Sequence, residues 1–257
     1  MNPTNLSYMT ILGWESKYRD ILKEFGYSRK EDSQSCKLLN LLLTEKIRTV
    51  EIKNLIENKP IFVVGAGPSL LSCIPILKKY KKITKIVADG AVQALIENGL
   101  RPDIVVTDLD GDITALKKTG RTNTIMVVHA HGDNSDRLHL VKNFKNCIGT
   151  TQTKPIGRIH NFGGFTDGDR CVFLANHFKA KKIILLGMDF GTTIGKYSKP
   201  SVINRNIKIA KLRCGKKLLE WLAQKSGSEL YSTTAMKGFT KIKYREIDNI
   251  ITSKNAF

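Results

Sequence analysis

The sequence predicts an α/β fold: a doubly wound, mainly parallel sheet preceded by an N-terminal helical segment. Three observations predict it. Short apolar runs recur along the chain, each breaks into a polar turn bearing Gly or Asp, and helical spacing fills the intervals between them. Strands alternating with helices imply crossover connections and hence parallel pairing. In such a sheet, ligands bind in the crevice beyond the carboxyl ends of the strands.

Residues 1–57 read as helices only. Met9, Leu12, Trp14, Tyr18, Ile21, Leu22 and Phe25, then Leu38, Leu39, Leu41, Leu42, Ile47 and Val50, fall at helical spacing. An α/β domain spans 58–235. Its first strand, 60–64, breaks into Gly65-Ala66-Gly67-Pro68-Ser69-Leu70, after which Leu70, Leu71, Ile74 and Leu77 mark one helix face. The run 83–88 breaks into Asp89-Gly90. Ile104-Val105-Val106 leads through Thr107 into Asp108-Leu109-Asp110-Gly111-Asp112. The run 124–128 breaks into His129-Ala130-His131-Gly132-Asp133-Asn134, and 182–186 into Gly187-Met188-Asp189. A long helix follows over 202–224, with Ile203, Ile207, Ala210, Cys214, Leu218 and Trp221 as its inward stripe. Residues 236–257 form a basic C-terminal extension, ordered at first and frayed at its end. The strand exits set Gly65, Asp89, Asp108, Asp110, His129, His131 and Asp189 around one crevice.

At 257 residues and 41% hydrophobic content the chain can bury one large core. No run of 18 apolar residues is present and the amino terminus lacks a signal core, so a soluble, cytoplasmic protein is expected. Cys36, Cys73, Cys147, Cys171 and Cys214 are scattered without a Cys-x-x-Cys pair, which fits reduced thiols. The net charge is +19, from 42 Lys and Arg against 23 Asp and Glu. Such a field favours anionic partners. The lysines are nevertheless dispersed, mostly near helix ends, and no basic block is interleaved with aromatics, so no specific nucleic-acid partner is expected.

The densest chemistry lies at 108–112. Alternate residues of an extended exit point the same way, so Asp108, Asp110 and Asp112 can converge, although Asp112, past Gly111, suits a helix cap. Crowded carboxylates repel unless a cation sits among them, and the hard, oxygen-seeking candidate is Mg²⁺. Gly65-x-Gly67 resembles the start of a dinucleotide fingerprint, but Leu70 stands where the third glycine belongs. What survives is a tight turn before a helix amino terminus, suited to phosphate. A Walker-type loop is absent, since 191–196 has one residue too few between its glycines. His129-x-His131-x-Asp133 suggests a hydrolytic metal centre as a rival, weakened by Asn134 in the next position.

Together, Val63-Val64-Gly65-Ala66-Gly67-Pro68-Ser69-Leu70, Ala88-Asp89-Gly90-Ala91, Arg101-Pro102-Asp103 leading to Asp108-Leu109-Asp110, His129 to Asn134, Phe165-Thr166-Asp167-Gly168-Asp169-Arg170 and Gly187-Met188-Asp189-Phe190 resemble the archaeal-type 6-hydroxymethyl-7,8-dihydropterin pyrophosphokinases. That family is similar to the catalytic domain of thiamin pyrophosphokinases, on whose Mg²⁺ and ATP positions Asp89, Asp108, Asp110, Thr166 and Asp167 fall. Thr107 and Leu109 replace that domain's glycine and phenylalanine. No stretch remains for the β-sandwich of the thiamin enzymes, which favours a different alcohol, and the resemblance to the pterin pyrophosphokinases implies a pterin.

The resemblance implies that the pterin hydroxymethyl oxygen attacks the β-phosphorus of the co-substrate ATP and that AMP departs. Asp108 and Asp110 would hold Mg²⁺, with Asp89 and Asp167 as further metal or water ligands. Gly65, Gly67 and Ser69 would receive phosphate. Asp133 or Asp189 would hold the pterin edge, with Asn134 beside them, and His129 or His131 would orient the hydroxyl. Arg170 is either a phosphate clamp or a surface arginine. A cytidine-nucleotide glycosyltransferase like the motility-associated factors and a non-enzymatic nucleic-acid-binding protein are the alternatives, and a homo-oligomer is compatible with either enzymatic reading.

Overall fold

The structure, a computed structural model, describes residues 10–43, 47–198 and 204–252. Three helices come first, α1 (Trp14–Phe25), α2 (Arg29–Leu42) and α3 (Thr49–Ile56). Strands and helices then alternate through β1 (Pro60–Val64), α4 (Leu70–Lys79), β2 (Thr84–Ala88), α5 (Val92–Glu97), β3 (Ile104–Thr107), α6 (Ile113–Gly120) and β4 (Ile125–Ala130). After β5 (Asn146–Thr151) and β6 (Ile159–His160) come α7 (Asp167–His177), β7 (Lys182–Leu186), α8 (Arg205–Ala223), β8 (Glu229–Ser232), β9 (Thr240–Lys241) and α9 (Ile247–Thr252).

Among the described residues the strands form one sheet in the order β6-β5-β4-β3-β2-β1-β7-β8-β9, parallel throughout. The chain winds outward from β1 to β6, then crosses back to β7 on the other side of β1. Strand order therefore reverses between β1 and β7, and the crevice beyond their carboxyl ends is where such sheets take ligand.

Strand parity builds two cores. Ile61, Val63, Ile86, Val106, Val127, Ile183 and Leu185 pack under α1, α3, α7 and α8, while Phe62, Val64, Val87, Val105, Met126, Ile184 and Leu186 pack under α2, α4, α5 and α6. With both faces covered, the central strands read as unbroken apolar runs. The N-terminal helices straddle the sheet: Trp14, Tyr18 and Ile21 of α1 enter the first core, Cys36 and Leu39 of α2 the second. Leu12, Leu38, Leu41 and Val50, expected on inward faces, lie outside. A helix has one inward stripe, and a run as dense as 38–42 cannot place every leucine on it.

Three further differences from the sequence reading bear on the site. β4 runs two residues beyond 128 and ends at Ala130, so His129 is a strand residue. β5, β6, β8 and β9 carried too little apolar pattern to be recognised, and β9 extends the sheet from within residues 236–257. The buried residues of α8 are Cys214, Gly215, Leu218, Leu219 and Leu222, with Ile207 exposed and Trp221 half-buried. Met9, Val202, Ile203 and the tail 253–257 lie outside the described residues.

Candidate active site

Four carboxylates from three separate turns meet beyond the sheet. Asp89 follows β2, Asp108 and Asp110 follow β3, and Asp167 opens α7; one ligand atom of each lies within 4.8 Å of the others. Strand alternation does not bring Asp108 and Asp110 together, because β3 stops at Thr107. Leu109 between them is fully buried and adopts φ +66°, a left-handed conformation costing an L-residue about 1–2 kcal/mol. Burying that side chain turns its two acidic neighbours into the cleft, which both of them line.

Asp89 is fixed from two sides. Its Oδ2 accepts the Thr107 hydroxyl at 2.7 Å and the Gly111 amide at 3.1 Å. Gly111 is required because a Cβ there would overlap the Asp89 carboxylate. Burial first, then Asp108 and Asp110, push Asp89 up to about 7. Burial and the same acidic neighbours hold Asp167 well above the usual carboxylate range. Asp112 stands apart and caps α6, accepting the Ala115 amide at 2.7 Å, as its place after Gly111 suggested.

Gly65, Gly67 and Asp189 also line the cleft. Ser69 and Asp189, expected to receive phosphate and pterin, bond to each other instead. The Ser69 amide donates to Asp189 Oδ2 at 2.8 Å, and its hydroxyl reaches the two carboxylate oxygens at 2.9 and 2.7 Å. A carboxylate thus occupies the helix amino terminus that the sequence offered to phosphate. The loop after β7 also packs on the glycine turn: a Cβ on Gly195 would overlap the Ala66 carbonyl.

The histidine segment lies behind this wall. His129 is 1% exposed, its Nδ1 lies 3.2 Å from the Thr150 hydroxyl, and burial followed by Arg170 holds it well below the ordinary histidine range. His131 Nδ1 accepts the Asp133 amide at 3.2 Å, leaving Nε2 3.4 Å from Asp108 Oδ2. Neither ring lines the cleft, contrary to the sequence reading, because the longer β4 carries His129 into the core. Asn134 is buried, donating to the Asp108 and His129 carbonyls at 2.7 Å each, while the Asp133 side chain is mostly exposed. Arg170 is no surface residue: buried under the site, its Nη2 donates to Gln152 Oε1 and the Phe165 carbonyl at 3.0 Å.

Sequence reasoning missed Asp32. From α2 it accepts the Tyr18 hydroxyl at 2.6 Å, Gln152 Nε2 at 2.8 Å and the Gly132 amide at 2.9 Å, tying the N-terminal helices to the loop that holds His131. Within the polar stretch 29–35 nothing marked it as buried. The far cleft wall was missed as well: Phe165, Met188, Phe190 and Leu212, with Lys208 and Lys211, face Thr166 and the acidic cluster. Phe165 leans on Phe25 and Tyr27, at ring distances of 4.9 and 6.2 Å.

Residues 38–195 match the family described as 6-hydroxymethylpterin diphosphokinase MptE-like. The chain belongs to that family. The 6-hydroxymethyl-7,8-dihydropterin pyrophosphokinase of Methanocaldococcus jannaschii is 44% identical over 235 residues, 84% of this chain and 97% of that protein. The proteins of the same name from Pyrococcus furiosus and Methanothermobacter thermautotrophicus are 47% and 41% identical, over 81% and 83% of this chain and 92% and 95% of their own lengths. Among solved structures, the MAf glycosyltransferase of Magnetospirillum magneticum superposes with a TM-score of 0.52 at 13% identity, over 82% of this chain and 39% of that one. That likeness is one of fold. Among the described residues no helix is long and apolar enough to cross a membrane.

Proposed function

We propose that this family member transfers the diphosphate of ATP to the hydroxymethyl oxygen of 6-hydroxymethyl-7,8-dihydropterin and releases AMP, with Mg²⁺ held by the acidic cluster. The observation that carries the reading is the convergence of Asp89, Asp108, Asp110 and Asp167 in a cleft that spans the carboxyl ends of β1, β2, β3 and β7 of a parallel sheet. Four carboxylate donors, with no sulfur or imidazole among them, fit a hard divalent cation. Asp108 and Asp110, the half-exposed pair after β3, would be its ligands, with Asp89 and Asp167 holding its water shell. Bound there, Mg²⁺ would neutralise charge on the phosphate oxygens during transfer.

The protein's own share is positioning. Thr107 and Gly111 aim Asp89. His131, whose Nδ1 accepts an amide and whose Nε2 therefore carries the proton, steadies Asp108 together with Asn134. His129, buried and neutral, supports the strand end and takes no part in proton transfer. Gly65, Gly67 and Thr166 remain as nucleotide contacts along the cleft wall. The +19 net charge draws small anionic substrates to the cleft, and no specific nucleic-acid partner enters this reading. The five cysteines are free and buried, and we place the enzyme in the cytoplasm. Folds are shared across chemistries, so the glycosyltransferase likeness favours no second activity.

Incubation with ATP, Mg²⁺ and the hydroxymethyl-dihydropterin tests the proposal. AMP and a pterin diphosphate should appear together in equal amounts. Release of ADP, or undiminished turnover in excess chelator, would overturn it.

A further inference from the structure

The inward stripe of α8 runs through positions 208, 211, 212, 215, 218, 219 and 222, at helical spacing. Its later part is apolar or small and buried, in Gly215, Leu218, Leu219 and Leu222. Its first two turns place lysines on that same stripe. Lys208 and Lys211 are half-buried, and both line the cleft that holds the acidic cluster. Among the described lining residues they are the only cations.

Helix electrostatics does not favour lysines there. The first turn of α8 contains no acidic residue, and cations near a helix amino terminus oppose its macrodipole. Lys211 is nevertheless held in place: its ammonium lies 5.3 Å from the ring centre of Tyr27 and 5.8 Å from that of Phe165. Two aromatic faces fix a cation without neutralising it. A residue that breaks the local rule while being held by its neighbours marks a functional position.

ATP brings a polyanion to a cleft that already holds four carboxylates. The sequence has no Walker lysine, and Arg170 is committed to Gln152 and Phe165. Resting on the diphosphotransferase reading, we propose that Lys211, with Lys208 one turn before it, receives the triphosphate of ATP. Tyr27 and Phe165 position Lys211, which gives the N-terminal helical segment a part in nucleotide binding through Tyr27, just after α1.

The test is equilibrium dialysis of ATP and of AMP, each with Mg²⁺ at fixed ionic strength, against the wild type, Lys208→Met, Lys211→Met, Lys211→Arg and Tyr27→Leu. Each Met variant should weaken ATP by at least about tenfold and AMP by less than about threefold, because charge-assisted contacts to the lost phosphates dominate. Lys211→Arg should retain most of the affinity, and Tyr27→Leu should lose part of it, for ATP selectively. ATP affinity within about twofold of wild type in both Met variants, or equal losses for ATP and AMP, would overturn the proposal. Binding is read without turnover. A wild type that binds ATP through these lysines and yet releases no AMP from ATP when the pterin is added would sink the substrate assignment and leave this one standing.

Discussion

Replacing Asp110 with Asn should stabilise the metal-free protein while abolishing its response to Mg²⁺. The carboxylate atoms of the cluster lie within 4.8 Å of one another, and two unit charges at that separation repel by about 3.5 kcal/mol at an effective dielectric of about 20. Asp89 and Asp167 relieve part of this by retaining protons, so the removed charge chiefly faces Asp108. Asp110 is half-buried, and solvent screening reduces the recoverable repulsion to about 1–2 kcal/mol. For a chain of this length that is a rise in Tm of about 2–8 °C in chelator. Titrating Mg²⁺ should raise the wild-type Tm by mass action and leave the variant unmoved. Turnover should fall by orders of magnitude, each tenfold loss being about 1.4 kcal/mol of transition-state stabilisation. Asp112→Asn is the control, because Asn caps a helix about as well as Asp and this cap lies outside the cluster. The reasoning fails if Asp110→Asn melts below wild type in chelator or keeps the wild-type response to Mg²⁺. If Asp112→Asn alone silences that response, the metal lies further along the turn.

Two other outcomes follow from the same geometry. Asp89 has a folded value of about 7 against an ordinary 3.8, so between those values the folded protein keeps a proton that the unfolded chain has lost. Its contribution is therefore fully present below about pH 4, declines as pH rises, and is gone above about pH 7. Calorimetry in chelator should show this slope in the wild type and a flatter one in Asp89→Asn; parallel slopes would assign it to other groups. Tyr18→Phe removes a buried 2.6 Å hydrogen bond to Asp32 and should cost about 1.5–3 kcal/mol in denaturant unfolding, as bonds to charged groups do. A loss below about 0.5 kcal/mol would show that Gln152 and Gly132 hold Asp32 without it.

What the sequence determined by itself is what local pattern can carry. The central strands are covered on both faces, so 60–64 and 183–186 read as unbroken apolar runs, and their Gly and Asp exits marked the crevice. Asp89, Asp108 and Asp110 were legible because each stands at such an exit, whereas Asp167 was reached only through the family resemblance. Asp112 was legible because a cap lies next to the helix it caps. The short edge strands were not, since two residues of β9 show no period.

Tertiary structure decided which way the polar residues face. Two extra residues of β4 put His129 in the core, while a left-handed Leu109 turned Asp108 and Asp110 toward each other where strand alternation had been expected to do so. Ser69 and Asp189, 120 residues apart, satisfy one another at the helix terminus where phosphate had been placed. Asp32 and Arg170 became buried because Gln152, from the end of a distant strand, bonds both. Lys208 and Lys211 lie on the inward stripe of α8, where hydropathy alone expects apolar residues. Periodicity is set by neighbours in the chain, so a sequence can show where it turns. Burial and pairing depend on what remote segments bring to the same point, and only the folded chain specifies that.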